Sequence, residues 1–124
     1  MQIRTIVFAL AAAAPIQLFA HHSAAAYNPK DVVTVTGTAV DFQFVNPHVI
    51  ITLTVKDAGG VVTRWQGELT SPNHLVRAGW SSQSIKPGDT VSITGPRAFT
   101  GAPAVRISKT VVNGQELKTE MGDY

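Results

Sequence analysis

The chain has 124 residues, of which 44% are hydrophobic and 15% charged, with no cysteine and a formal net charge of +2. This length fits one small domain and excludes a multidomain enzyme. The absence of cysteine excludes disulfide scaffolds, Cys-ligated zinc or iron–sulfur sites and thiol nucleophiles, so site chemistry must come from histidine, carboxylate, hydroxyl and backbone groups.

Residues 1–20 have the pattern of a secretory signal peptide. Arg4 is their only charge, residues 6–14 form an unbroken apolar run, and Ala20 is a small residue at a cleavage position. This run is too short to span a bilayer as a helix, which needs roughly twenty residues. We therefore expect cleavage after Ala20, export to the periplasm or the cell exterior, and a soluble product without a membrane span.

The mature chain is predicted to consist of an N-terminal tail (residues 21–31), one β domain (residues 32–118) and a C-terminal tail (residues 119–124). Removal of Arg4 lowers the net charge by one. The remaining basic residues are scattered and form no run, so the chain lacks the electrostatic footprint of a nucleic-acid-binding protein. We expect a monomer.

Two strands are predicted at the start of the β domain. Residues 32–44 are rich in β-branched and aromatic residues, and the parity of their apolar positions changes close to Gly37, which indicates a β-bulge at this glycine. Residues 49–56 then alternate between apolar and polar side chains. The first strand should be sharply bent and the second regular.

A third strand is predicted at residues 61–69, after a glycine-rich turn at residues 57–60. Its alternation places Val61, Trp65 and Leu69 on the inner face. The outer face carries polar residues: Arg64, Gln66 and Glu68.

A short helix is predicted after the third strand. Ser71 can cap it with its side chain, Pro72 suits the first helical position, and Gly79 provides a left-handed C-terminal stop. Trp80 is expected to pack back against the core.

Two more strands are predicted after the helix, one containing Val91 and Ile93 and one containing Val105 and Ile107, and Asn113-Gly114 favours a small terminal hairpin. The order β-β-β-α-β-β is that of a five-stranded OB-like Greek-key barrel. We therefore predict an all-β fold with one short helix. A two-sheet sandwich is the alternative; it usually needs about seven strands.

Several motifs together resemble those of a family of small uncharacterised exported bacterial proteins that share a domain of unknown function. They are His21-His22-Ser23, Val45-Asn46-Pro47-His48, Trp65, Ser71-Pro72-Asn73, Arg77-Ala78-Gly79-Trp80 and Lys86-Pro87-Gly88-Asp89. These motifs cover most of residues 21–95. The resemblance implies export and a compact β-rich domain, and the family has no settled activity to carry over.

Histidines are the main candidates for site chemistry, because imidazole is the commonest protein ligand of transition metals such as copper and zinc. Cleavage after Ala20 gives His21 a free α-amine beside its ring. Cleavage after Phe19 instead places His22 third, where backbone nitrogens can complete a square-planar Cu(II) or Ni(II) site. His48 has the outward phase of its strand and should face solvent or the tail.

The first functional hypothesis is a non-catalytic binding domain for copper or zinc. Its ligands are His21, His22 and His48, with His74 and Glu68 as additional ligands. The competing interpretation is that the histidine pair reflects only signal processing, that His48 hydrogen-bonds a neighbouring loop, and that His74 is solvated.

Two other hypotheses use different residues. The chain can be an envelope interaction module in which Arg64, Gln66 and Phe99 bind a peptide, a glycan or a periplasmic partner protein. A small hydrolase is the weaker alternative, because no Gly-x-Ser-x-Gly motif occurs. Its triad would combine Ser71 or Ser23, an acid such as Asp41, and one of the histidines His22, His48 and His74. We therefore expect that the protein is not an enzyme.

Overall fold

A computed structural model describes residues 23–119. The elements, in chain order, are a 3-10 turn at Ser23–Ala26, β1 (Tyr27–Gln43), β2 (Ile50–Lys56), β3 (Val62–Glu68), α1 (Pro72–Arg77), β4 (Thr90–Ala98), β5 (Ala104–Arg106), β6 (Lys109–Val112) and β7 (Gln115–Leu117). The prediction of a mostly β fold with one short helix is confirmed. The predicted signal peptide lies outside the described residues. Within them, no helix has the length and apolarity needed to cross a membrane.

The strands form one sheet in the order β1-β2-β3-β5-β4-β6-β7, and β4 also pairs with β1. The strands β1, β2, β3, β5 and β4 are therefore neighbours in a closed ring. The β3–β5 pairing is parallel and the other pairings are antiparallel. The predicted terminal hairpin forms as β6 and β7, with positive φ at both Asn113 and Gly114, as a tight hairpin turn requires.

β1 is the longest strand, and it differs from its prediction in two ways. It begins at Tyr27 rather than residue 32. Its register against β2 shifts between Ala39 and Asp41, so the bulge lies near Val40 and the prediction of a bulge at Gly37 is wrong. Gly37 has a different role: a Cβ there would collide with the carbonyl oxygen of Thr54 on the adjacent strand.

The strand predicted around Val105 and Ile107 is followed at once by another strand, because the backbone changes partner at this point. The Ile107 amide donates to the carbonyl of Glu68 at 2.8 Å, whereas the Ser108 amide donates to the carbonyl of Thr94 at 2.8 Å. β5 therefore pairs with β3, and β6 continues along β4. Hydrophobic periodicity alone does not show such a change of partner.

One apolar core lies between the strands and under α1. Its buried side chains are Val35, Ala39, Val49, Ile51, Leu53, Leu69, Leu75, Trp80, Ile85, Val91, Ile93, Val105, Ile107 and Val112. Trp65 is only partly buried. It packs against this core, and the guanidinium of Arg97 lies 5.4 Å from its ring centroid. Val61 is 61% exposed, so its predicted inward position is wrong, because it precedes β3 in the turn that follows Gly60.

Candidate functional site

Four polar side chains meet at the carboxyl end of β3. Oε1 of Glu68 lies 2.6 Å from Nδ1 of His48 and 3.9 Å from Nη1 of Arg106. Oε2 of Glu68 accepts a hydrogen bond from the Tyr27 hydroxyl at 3.0 Å. The Glu68 side chain is only 15% exposed, so these contacts replace most of its solvent shell. We refer to Tyr27, His48, Glu68 and Arg106 as the Glu68 cluster.

The fold brings these residues together from four separate segments. Glu68 ends β3 and is in register with Arg106 on the parallel strand β5. His48 lies just before β2, where the backbone of Val49 is hydrogen-bonded to both Leu69 and Thr70. Tyr27 begins β1, at the end of its pairing with β4.

His48 presents its two ring nitrogens differently. Nδ1 faces the Glu68 carboxylate, while no residue among 23–119 forms a hydrogen bond to Nε2. The side chain is 33% exposed, in line with the predicted outward phase. A metal-ligating histidine usually has this arrangement, with one nitrogen fixed by a carboxylate and the other directed at the metal.

The environment of Tyr27 keeps its hydroxyl protonated. Burial raises the pKa of Tyr27 to about 12, and the negative charge of Glu68 and the hydrogen bond to it act in the same direction. The nearby positive charge of Arg106 opposes this shift. Tyr27 therefore donates to Glu68 throughout the neutral pH range.

His74 is exposed on α1 and contacts two neighbouring hydroxyl groups. Its Nδ1 lies 3.1 Å from Oγ of Ser71 and 3.3 Å from Oγ1 of Thr70. The prediction that the Ser71 side chain caps α1 is therefore wrong, since this hydroxyl bonds to His74 and makes no cap hydrogen bond. Pro72 does occupy the start of the helix, and Gly79 has the left-handed conformation that was predicted, with φ of 93°.

Of the five metal ligands predicted from sequence, two come into contact within the described residues: His48 and Glu68. His21 and His22 lie outside residues 23–119. Within that range, no group of three or more His, Asp or Glu side chains is arranged to hold a metal ion. Among residues 23–119, His48 is the histidine whose ring is held by a carboxylate.

Next to the cluster lies an open cavity of about 570 Å³, which we call the Arg106 cleft. Its polar lining comes from Glu68, Thr70, His74, Arg106, Ser108 and Thr119. Its apolar lining comes from Leu69, Pro96 and Ile107. Glu68 and His74 both line this cleft, although their side chains are not in contact with each other.

Tyr27 and Arg106 belong to the site but are not among the residues predicted for it. Tyr27 falls in the predicted tail, five positions before the predicted first strand. Arg106 stands between Val105 and Ile107, which are both predicted to face inward. The alternation of that strand therefore predicts that the Arg106 side chain faces outward.

Of the three residues predicted to form a ligand-binding face, two line the same cavity. Arg64 and Gln66 line a second open cavity of about 430 Å³, together with Asp41, Gln43 and Thr52. Phe99 is 63% exposed in the turn after β4 and is not among the residues that line this cavity.

Comparison with known protein families finds a match over residues 9–104 to DUF6152, a family of unknown function. The predicted resemblance to a family with a domain of unknown function is therefore confirmed. No curated protein matches the chain.

Proposed function

We propose that this chain, which belongs to the DUF6152 family, binds a divalent transition metal ion, copper or zinc, through His48, His21 and His22. The contact between His48 and Glu68 carries the proposal, because it fixes Nδ1 on a carboxylate and leaves Nε2 as a metal donor. Glu68, considered above as a ligand, is then a positioning residue for His48. The protein acts as a binding domain and not as an enzyme.

The start of β1 supports participation of the tail histidines. Tyr27 is hydrogen-bonded to the carboxylate that holds His48, and the carbonyl of Ala26 accepts a hydrogen bond from the Phe99 amide at 3.0 Å. The chain therefore enters the fold beside the Glu68 cluster. His22 is five positions before Tyr27, and the compact 3-10 turn at Ser23–Ala26 lies between them. In our proposal the chain before this turn brings His22 and His21 to His48.

The ligand set determines the class of metal. Imidazole nitrogens and the α-amine that cleavage after Ala20 would create are donors suited to copper and zinc, whereas magnesium and calcium prefer oxygen ligands. All these nitrogens must be deprotonated to bind, so metal affinity falls at acidic pH. Mass spectrometry of the exported protein tests the cleavage position: a mature chain that begins at His21 supports the proposal, and an uncleaved chain contradicts export.

Calorimetric titration with Cu(II) and Zn(II) tests the metal site. We expect the exported protein to bind one ion, and both His48→Ala and the double variant His21→Ala/His22→Ala to weaken binding at least about tenfold. His74→Ala is the matched control, since His74 is bonded to Ser71 and Thr70 instead of Glu68. Unchanged affinity in His48→Ala, or loss of affinity in His74→Ala alone, would contradict the proposal.

We also propose that the sheet is an OB-like Greek-key fold. Three observations support it: the neighbour order β1-β2-β3-β5-β4, the additional β1–β4 pairing, and a helix between β3 and β4. In such folds the outer face of the central strands and its loops bind ligands.

A glycan on this outer face is a second candidate function. Asp41 is in register with Thr52, and Thr52 with Gln66, so Asp41 and Gln66 lie on either side of the buried Thr52 across β1, β2 and β3. A carboxylate and an amide at this spacing can together donate to and accept from neighbouring sugar hydroxyls. Titration with chitooligosaccharides tests it. Binding that Gln66→Ala weakens, with Gln115→Ala on β7 as control, would support this function, and absence of binding would reject it.

A further inference from the structure

We infer that the second open cavity, of about 430 Å³, binds a glycan that contains a hexuronic acid, whose carboxylate is recognised by Arg64. This inference rests on the second candidate function, a glycan on the outer face, and names the class of sugar. We call this space the Arg64 cavity. Its lining residues are Asp41, Gln43, Thr52, Arg64, Gln66, Ala102, Pro103 and Ala104. It shares no lining residue with the Glu68 cluster, so the inference does not depend on the metal site.

One wall of the Arg64 cavity is the loop between β4 and β5, and two hydrogen bonds hold this loop in place. The backbone amide of Gln66 donates to the carbonyl oxygen of Pro103 at 3.0 Å, which fixes the loop against β3. Nη2 of Arg97 donates to the carbonyl oxygen of Gly101 at 2.9 Å. Pro103 and the alanines beside it then offer apolar surface to the C–H groups of a sugar ring. The cavity is therefore formed before a ligand arrives, and its volume lies in the roughly 300–1,000 Å³ range of small-molecule sites.

Arg64 provides a cation that can bind a carboxylate. Its side chain is exposed on the outer face of β3. Within residues 23–119, its guanidinium forms no ion pair or hydrogen bond. A planar guanidinium has five N–H donors and binds carboxylates in a bidentate manner. A ligand carboxylate can therefore pair with Arg64 without displacing an existing partner.

Asp41 restricts which anions fit the cavity. It lies on β1 and Arg64 lies on β3, with β2 between them, so the two strands are roughly 9.5 Å apart. Oδ2 of Asp41 accepts a hydrogen bond from Nε2 of Gln43 at 2.7 Å, and the carboxylate has further acceptor positions. Sugar hydroxyls can donate to these positions, whereas a second negative group would be repelled.

A hexuronic acid matches this separation of charges. Its carboxylate lies on one side of the sugar ring and can pair with Arg64, while hydroxyls on the other side can donate to Asp41. An amino acid carries both charges on one carbon atom, so it is too short to reach both side chains. A phosphate group offers no comparable set of donors to Asp41. The two charged residues of the lining therefore favour an acidic sugar.

The test is an NMR titration of the metal-free full-length chain with digalacturonate, its methyl ester and chitobiose. Digalacturonate should shift the backbone amide signals of Arg64, Gln66 and Ala104. The methyl ester keeps the rings and hydroxyls but has no charge. We expect the ester and chitobiose to bind at least about tenfold more weakly, because hydrogen bonds between charged groups are stronger than neutral ones. Sodium chloride should weaken binding of digalacturonate and leave binding of the ester unchanged.

Arg64→Gln should weaken digalacturonate binding at least about tenfold and leave the affinity for the methyl ester unchanged. Arg77→Gln is the matched control, because Arg77 is also exposed but lies on α1, and it should change neither affinity. The comparison between acid and ester needs no variant, so it stands even if Arg64→Gln does not fold.

Three outcomes would overturn the inference. They are an ester that binds as tightly as digalacturonate, equal digalacturonate affinity in Arg64→Gln and wild type, and no binding of digalacturonate. Binding of chitobiose in the same samples would show that the glycan function survives such a failure. Absence of binding by all three sugars would reject the glycan function as well.

Discussion

The hydroxyl of Tyr27 donates a hydrogen bond at 3.0 Å to Oε2 of Glu68, which lies 41 positions later in the sequence. This contact joins the start of β1 to the end of β3. The other oxygen of the same carboxylate holds His48. Glu68 therefore connects the segment that follows the tail histidines with the imidazole of His48, and the metal-binding proposal depends on this connection.

Replacement of Tyr27 by phenylalanine should reduce stability in a pH-dependent way. The pKa of Tyr27 is raised from 10.0 to about 12, so the folded state holds this proton more tightly than the unfolded state. The contribution is complete below pH 10 and is lost as pH rises through about 12. Urea unfolding should show wild type more stable than Tyr27→Phe by about 1–3 kcal/mol at neutral pH, with the difference shrinking above pH 10. A difference that grows with alkaline pH would contradict this.

Glu68→Gln should weaken copper or zinc binding about 10–100-fold, the usual loss when the carboxylate behind a metal-ligating histidine is removed. The amide retains the shape of the side chain but is a poorer acceptor for the His48 ring proton. Glu116→Gln on β7 is the control, because Glu116 is exposed and, among residues 23–119, its carboxylate pairs with Lys109 at 3.4 Å and lies away from the Glu68 cluster. Equal affinity in Glu68→Gln and Glu116→Gln would show that Glu68 does not position the ligand.

Gly95→Ala should destabilise the fold by about 1–3 kcal/mol or more. A Cβ at Gly95 would collide with the backbone carbonyl oxygen of Arg106, and backbone cannot move aside as a flexible side chain does. Gly59→Ala is the matched control, because the nearest atom to its Cβ is a side-chain oxygen of Asp57 at 3.4 Å. Urea midpoints measure both variants; a midpoint for Gly95→Ala as high as that of Gly59→Ala would contradict the close approach.

Trp80→Phe should loosen the end of the chain more than the rest of the sheet. Trp80 Nε1 donates to the carbonyl oxygen of Lys118 at 2.6 Å, which fixes the residues after β7 to the core. Loss of this hydrogen bond costs about 1 kcal/mol. Hydrogen exchange should become faster at Leu117 and Lys118. The control Trp65→Phe should leave exchange there unchanged, and the same rates in both variants would refute the anchoring role.

Much of the fold is predictable because its signals are local. The strand β2, the Pro72 start of α1 and the Asn113-Gly114 turn each depend on a few consecutive residues, and each appears in the structure. The predicted alternation of β2 does not appear, because Thr52 is buried together with Ile51 and Leu53. The bulge of β1 was misplaced since Gly37 and the parity change lie only a few residues apart. Gly37 is required because the backbone of β2 lies too close to it for a Cβ atom. The bulge lies between Ala39 and Asp41 and contains no glycine.

The candidate site was less predictable, because its contacts join distant segments. The alternation of side chains along the strands predicts that His48 and Glu68 face outward. No short stretch of the sequence shows that Tyr27 and Arg106 lie beside them. Those contacts follow from the β1–β4 and parallel β3–β5 pairings. The role of Glu68 also changed: sequence type suggested a ligand, whereas the 2.6 Å contact to Nδ1 suits a residue that orients His48.

Imidazole nitrogen NMR of a chain that begins at His21, during a zinc titration, tests the metal-binding proposal most directly. We expect the Nε2 signal of His48 to shift on zinc binding while Nδ1, held by Glu68, retains its proton. The signals of His74 should stay in place. If His48 Nε2 is unchanged at saturating zinc, or if zinc displaces the proton on Nδ1 instead, the proposed role of the Glu68–His48 pair is wrong.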